Sequence, residues 1–138
     1  MVIVNKLTKI YRKKGSSKVV ALDNVSLKFK KTGLTIILGK SGSGKSTLLN
    51  LLGGIDSPTS GEIMIDGQNI NNFGAKNYDN YRNSCVGFVF QEYNLIEEYT
   101  VGANVALAVE MQGKRPDKEA IDAVLRQVDL VDEKGDTL

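Results

Sequence analysis

An α/β fold is predicted for this chain of 138 residues from three observations. An apolar run, Thr35-Ile36-Ile37-Leu38, opens directly into a glycine-rich stretch, GKSGSGKST, as a strand does when it passes into a helix through a tight loop. Ahead of it, residues 2 to 10 and 18 to 30 carry strand patterns, with Val25, Leu27 and Phe29 on one face and polar residues opposite. Behind it, short strand-like segments give way to two apolar stripes at helical spacing.

The central loop is the most informative element. Gly39-Lys40-Ser41-Gly42-Ser43-Gly44-Lys45-Ser46 fits G-x-x-x-x-G-K-[ST], the loop whose backbone N–H groups wrap a nucleotide's phosphates. Glycine suits these positions because a Cβ would hold the main chain away from the oxygens, and because some residues need a positive φ. Ser46 to Leu52 reads as a helix with Leu48, Leu51 and Leu52 apolar, ended by Gly53-Gly54. Its N-terminus aims free N–H groups and a partial positive charge at an anion. Lys45 is then expected on the β- and γ-phosphates, the Ser46 hydroxyl on the bridging Mg²⁺, and Thr47 within reach of the α-phosphate. Gly39, Ser41, Gly42, Ser43 and Gly44 form the cradle.

The remaining elements follow in order. DSPTSG is a turn cluster, and Glu62 to Gln68 is a short strand closing in an Asp-Gly turn, which makes Asp66 a turn residue before a metal ligand. FGAKNYDNYRNS is polar and fits a helix or a loop. Val86 to Phe90 is predicted as a buried strand that meets a polar break at Gln91 and Glu92. Thr100 is placed to cap a helix through Val101, Val105 and Val109 that stops near Gly113. Pro116 is expected to begin another, with Ile121, Val124, Leu125 and Val128 on one stripe.

Composition narrows the function classes. A chain with 41% hydrophobic residues at this length can bury one ordinary core and is expected to be one domain. No apolar stretch reaches the ~18 residues of a membrane span, and the first residues lack the long apolar centre of a signal peptide, so a cytoplasmic setting is expected. A net charge of +2 does not argue for nucleic acid; Arg12-Lys13-Lys14 and Lys28, Lys30 and Lys31 read as solvated turn and strand faces. The one cysteine, Cys85, is expected to pack as a small hydrophobe in a reducing compartment.

With these residues in view, the chain resembles the nucleotide-binding domains of ABC transporters. GKSGSGKSTLLNLLGGIDSPTSGEIMIDG followed by VGFVFQEYNLIEEYTVGANVALA is similar to the first half of such a domain. The wording LLGGIDSPTSGEI and FQEYNLI most resembles the exporters of lipoproteins, macrolides and antimicrobial peptides. The resemblance implies an incomplete P-loop NTPase fold of the ABC ATPase type: a β-subdomain from residues 1–33 and 59–72, a P-loop strand and helix at 34–56, a Q-loop strand at 84–92, and the start of a helical subdomain at 100–130. It implies ATP and Mg²⁺ as cofactors. It assigns Tyr11 to stacking on the adenine, and Gln91 to the Q-loop glutamine that contacts Mg²⁺ or the attacking water and communicates with the membrane partner. Lys45 and Gln91 are thereby the expected catalytic residues, with Ser46 and Gln91 on the metal. The implied partners are a second nucleotide-binding domain and a transmembrane permease subunit, with the chain lying against the inner face of the cell membrane.

Hydrolysis also requires a second acidic Mg²⁺ ligand, a polariser for water and charge stabilisation at the γ-phosphate. In the resembled family these come from an apolar strand ending in Asp-Glu, an L-S-G-G-Q signature from a second copy, and a switch histidine. None of the three occurs in these 138 residues, which contain no histidine. The chain by itself is therefore expected to bind ATP without turning it over. The family's parallel sheet draws the neighbours of its P-loop strand from residues beyond these, so the edges at Thr35–Leu38 and Val86–Phe90 are expected to need cover from a second copy or a rearranged helix. Two other readings use the same loop: a small kinase holding Mg²⁺ with Glu92, and a short nucleotide-binding regulator without hydrolysis. The arginines, Arg12, Arg82, Arg115 and Arg126, are too scattered for a kinase lid, and no N-K-x-D motif marks a GTPase.

Overall fold

The computed structural model describes residues 1–12, 17–90, 92 and 94–136. The chain divides into two units, Met1–Gly87 and Phe88–Leu138.

The first unit is built on an antiparallel sheet of order β2-β1-β3-β4, formed by β1 (Val2–Tyr11), β2 (Val19–Phe29), β3 (Ser60–Ile65) and β4 (Gln68–Asn69). Helix α1 (Lys45–Leu52) lies on this sheet through Leu48 and Leu51, which are buried with Val4, Leu7, Leu22, Ile63 and Ile70. Each such side chain contributes about 1.5–3 kcal/mol when removed from water. Asp66 and Gly67, both at positive φ, make the tight turn between β3 and β4 that the Asp-Gly pair predicts. The polar segment left open between helix and loop is helix α2 (Ala75–Cys85). It has no buried residue, yet Tyr81 donates its hydroxyl to the Leu52 carbonyl at 2.7 Å and Arg82 donates to the Gly54 carbonyl at 2.6 Å, so α2 satisfies two acceptors at the end of α1.

Strict alternation does not describe the long strands. Between Val4–Leu27 and Leu7–Val25 β1 carries one extra residue, and between Leu7–Val25 and Lys9–Leu22 the extra residue is in β2. Lys6 and Asn24, at φ 48° and 51°, sit at these two bulges. Their freed N–H groups are taken up by Ser26 Oγ at 2.9 Å and Thr8 Oγ1 at 3.0 Å. The bulges explain why Val4 and Leu7, three residues apart, share the core, and why Leu27 is 39% exposed although it was expected on a face with Val25 and Phe29. Gly61 of β3 fits against the first bulge: at φ +87° its Cβ would stand 2.2 Å from the Lys6 carbonyl oxygen.

Two expected strands are corrected. Residues 35–38 and 86–90 join no ladder among the described residues. Ile37 packs on the core, but Leu34, Ile36 and Leu38 are exposed, as are Val89 and Phe90. A strand buried on both faces needs neighbours on both edges, and the described residues supply these segments with none. Cys85, expected inside, is exposed because it ends the solvated helix α2.

The second unit holds α3 (Val101–Glu110) and α4 (Lys118–Gln127). Thr100 caps α3 as predicted, its Oγ1 accepting from the Ala103 N–H at 3.2 Å, and Gly113 follows the helix at φ +72°. Helix α4 starts two residues after Pro116, because the Asp117 carboxylate is the cap, accepting from the Glu119 N–H. Ile121 and Leu125 are buried, whereas Val124 and Val128 of the same stripe are half exposed. Asn104 ties Ile96 to α3 by donating to its carbonyl at 3.0 Å and accepting its N–H at 2.9 Å. Lys134 pairs with Asp122. No described helix is long and apolar enough to cross a membrane.

The bulge at Lys6 generates a prediction. Gly61→Ala adds a backbone clash to a strained φ, whereas Gly67→Ala, at φ +85° with open space around it, adds strain alone. In urea unfolding, Gly67→Ala is expected to cost about 1–2 kcal/mol, and Gly61→Ala clearly more. Equal losses would show that β3 does not press on the bulge.

Candidate nucleotide site

The loop before α1 has the shape its glycines predict. Gly42 and Gly44 adopt φ of +76° and +88°. At Gly44 a Cβ would stand 2.4 Å from the Ala21 carbonyl oxygen and 2.9 Å from Leu22 Cδ2, so the start of α1 lies directly against β2. At Gly39 a Cβ would meet Ser43 Oγ at 2.7 Å, so a side chain there would fill the curl of the loop. The Ser43 N–H donates to the Lys40 carbonyl at 3.3 Å and the Leu48 N–H begins the helical ladder on Gly44. Among the described residues no acceptor takes the N–H groups of Gly42, Gly44, Lys45, Ser46 or Thr47. Five donors at a helix start suit an anion.

Lys45 is the first residue of α1. Its ammonium folds back over the loop, donating to the carbonyls of Gly39 at 2.8 Å and Lys40 at 2.7 Å, with Ser43 Oγ at 3.5 Å. Ser41, Gly42, Ser43 and Ser46 are exposed and Thr47 is partly covered. No group of three His, Cys, Asp or Glu side chains able to hold a metal occurs among the described residues. Gln91 lies outside the described residues. Glu92 is exposed and belongs to the second unit.

Tyr11, at the far end of β1, is linked to the segment that follows α1. Its hydroxyl donates to Asp56 Oδ2 at 2.8 Å. Lys9, two residues earlier, donates to Asp56 Oδ1 at 2.6 Å and to the Ser57 carbonyl at 2.7 Å. The Lys9 ammonium stands 4.9 Å from the centre of the Tyr11 ring, within cation–π range. Burial first, and then the Asp56 carboxylate, push the Tyr11 phenol above its usual value, while the Thr47 hydroxyl and the Lys9 charge work in the opposite direction. Burial alone would raise Asp56; bonds from Lys9, Tyr11 and the Ser57 N–H outweigh it and hold the carboxyl below the usual carboxylate range. Lys9 and Asp56 were invisible as a pair in the sequence, because 47 residues separate them.

These shifts set a pH window. A carboxyl whose pKa is lower in the folded chain adds stability above the unfolded value of about 4 and loses it as the pH falls through the folded value. A phenol whose pKa is raised adds stability below its unfolded value of about 10 and loses it as the pH rises through the folded one. Acid titration of the melting temperature is therefore expected to show a limb below about pH 4 that Asp56→Asn flattens. An unchanged limb in that variant would remove Asp56 from the network.

Comparison with known proteins agrees with this geometry. The sequence profile described as ABC transporter matches residues 22–138. The lipoprotein-releasing system ATP-binding protein LolD of Buchnera aphidicola is 39% identical over 129 residues, which are 92% of this chain and 56% of that protein. The methionine import ATP-binding protein MetN of Carboxydothermus hydrogenoformans is 40% identical over 134 residues, 96% of this chain and 39% of that protein. The chain thus spans about half, or less, of the curated relatives it matches. Among solved structures, the ATP-binding cassette MJ0796, in a dimeric post-hydrolysis state bound to ADP and Pi, superposes with a TM-score of 0.86 at 34% identity, over 99% of this chain and 61% of that one. These likenesses leave the kinase reading through Glu92 without support. With the loop, the helix and the sheet in place, and with the profile matching residues 22–138, the chain belongs to the ABC transporter family.

Proposed function

We propose that this chain binds Mg-ATP through the loop at residues 39–47, as part of the ATP-binding, energy-coupling subunit of an ABC exporter. The observation that carries the reading is the cradle itself: five N–H groups without acceptors among the described residues and one ammonium, gathered at the start of α1. A side chain at Gly39 or Gly44 would fill or displace it.

The residues divide the work by their chemistry. The N–H groups of Gly42 and of Gly44 to Thr47 donate to phosphate oxygens, with Ser41 and Ser43 at the rim. Lys45 exchanges the neutral carbonyls of Gly39 and Lys40 for phosphate oxygens, whose negative charge adds a direct attraction between opposite charges. Ser46 and Gln91 would hold Mg²⁺, and the ion would supply positive charge against the phosphates. Two protein ligands suffice because this ion keeps its waters and takes phosphate oxygens readily. Tyr11 stacks on the base, and Thr47 meets the α-phosphate.

In the whole protein, ATP is hydrolysed between two such domains arranged head to tail, with Lys45 and Gln91 at the reacting phosphate, and closure drives a permease subunit. That places the protein in the cytoplasm against the inner face of the membrane. Support comes from the relatives, which are ATP-binding proteins of lipoprotein-releasing and methionine-import systems, and from the dimeric state of the solved cassette. The export direction rests on the LLGGIDSPTSGEI wording.

Titration calorimetry with Mg-ATP tests the site. Lys45→Ala removes the charge that faces the β- and γ-phosphates and is expected to weaken binding at least tenfold, in line with the ~1.5–3 kcal/mol of a hydrogen bond to a charged group. Equal affinity before and after the change would contradict the proposal.

A further inference from the structure

Tyr11 is not a free aromatic platform. It is 39% exposed, so its ring is accessible, yet it is held at two points. Its oxygen is bonded to Asp56, and the Lys9 ammonium stands over one ring face. Lys9 and Tyr11 are two apart on β1 and therefore point to the same side of the strand. Asp56 belongs to the segment leaving α1, which is itself stitched to β1: the Thr59 N–H donates to the Thr8 carbonyl, and the Ile10 N–H to Thr59 Oγ1, both at 2.9 Å. Asp56 also accepts its bonds in an order that leaves little freedom, one oxygen for Lys9 and the Ser57 N–H, the other for Tyr11.

We propose that Lys9 and Asp56 are positioning residues for the nucleotide's base: together they fix the Tyr11 ring with one face occupied by the ammonium and the other presented to the incoming purine. This rests on the reading of the chain as an ATP-binding domain, and adds two residues to it that do not touch the nucleotide. The physical gain is pre-organisation. A ring already held in its bound orientation loses less freedom when the base arrives than one that must be immobilised. The bond from the phenol to Asp56 restrains the ring, and Lys9 does two things, pinning Asp56 and covering one ring face.

The test separates base from phosphate. Calorimetric titrations use Mg-ATP and, as a base-free probe, Mg-tripolyphosphate. Asp56→Ala and Lys9→Met are each expected to weaken ATP roughly three- to tenfold, a part of what base–aromatic stacking supplies, and to change tripolyphosphate affinity less than twofold. Lys9→Arg, which keeps a cation beside both partners, is expected to restore most of the ATP affinity. Tyr11→Phe, which keeps the ring and loses the bond to Asp56, is expected to weaken ATP as Asp56→Ala does. If Asp56→Ala does not fold, Asp56→Asn takes its place, with a smaller loss for ATP and the same indifference to tripolyphosphate. Equal losses for both ligands would mean that the pair only supports the fold, and overturn the proposal. Unchanged ATP affinity in the Lys9 and Asp56 variants, alongside a loss in Tyr11→Ala, would overturn it while leaving the stacking role intact. If the wild-type chain binds neither ligand, or Tyr11→Ala leaves ATP affinity intact, the underlying reading fails and the positioning role with it.

Discussion

The contact between Gly44 and β2 governs the rest of the first unit. Because no Cβ stands at Gly44, the chain turns through a left-handed φ within touching distance of the Ala21 carbonyl and the Leu22 side chain. The first turn of α1 is thereby set against the sheet, and Leu48 and Leu51, one turn further on, reach the core formed by Val4, Leu7, Leu22 and Ile63. The same turn leaves the N–H groups from Gly44 to Thr47 without acceptors among the described residues. Packing and chemistry therefore share one origin: the close approach that seats the helix also frees the donors that suit a phosphate.

The loop is consequently anchored from its helical side. Its other end is held by Ile37, while Leu34, Ile36 and Leu38 stand exposed and join no ladder among the described residues. The end of α1 is secured in turn by Tyr81 and Arg82 of α2, which bond the carbonyls of Leu52 and Gly54. A helix fixed at both ends, by a glycine against a strand and by two donors from a second helix, gives the loop a rigid base without a completed parallel sheet beneath it.

What the sequence revealed follows the range of the interactions concerned. The glycine-rich loop, α1, the Asp66-Gly67 turn and the Thr100 cap are encoded within a few residues, and each stands where its local chemistry places it. The runs at 35–38 and 86–90 join no ladder among the described residues, because an apolar run becomes a strand only when a neighbour takes its N–H and C=O groups, and no local signal reports that neighbour. The bulges at Lys6 and Asn24 shift which residues of β1 and β2 face inward, and they follow from the fit of three strands. Within the candidate site, the cradle residues were legible from spacing and Tyr11 from family likeness, but the Lys9–Asp56 pair that holds Tyr11 joins segments far apart in the chain. Gln91 lies outside the described residues.

The central claim is that the donors gathered at the start of α1 form the phosphate site. Backbone amide NMR spectra recorded during a Mg-ATP titration report on each of those donors separately. The largest shifts are expected on the amides of Gly42 and of Gly44 to Thr47, with smaller changes at Tyr11 and little at residues 34–38. Saturating Mg-ATP that leaves these amides in place, or moves another region of the chain more strongly, would contradict it.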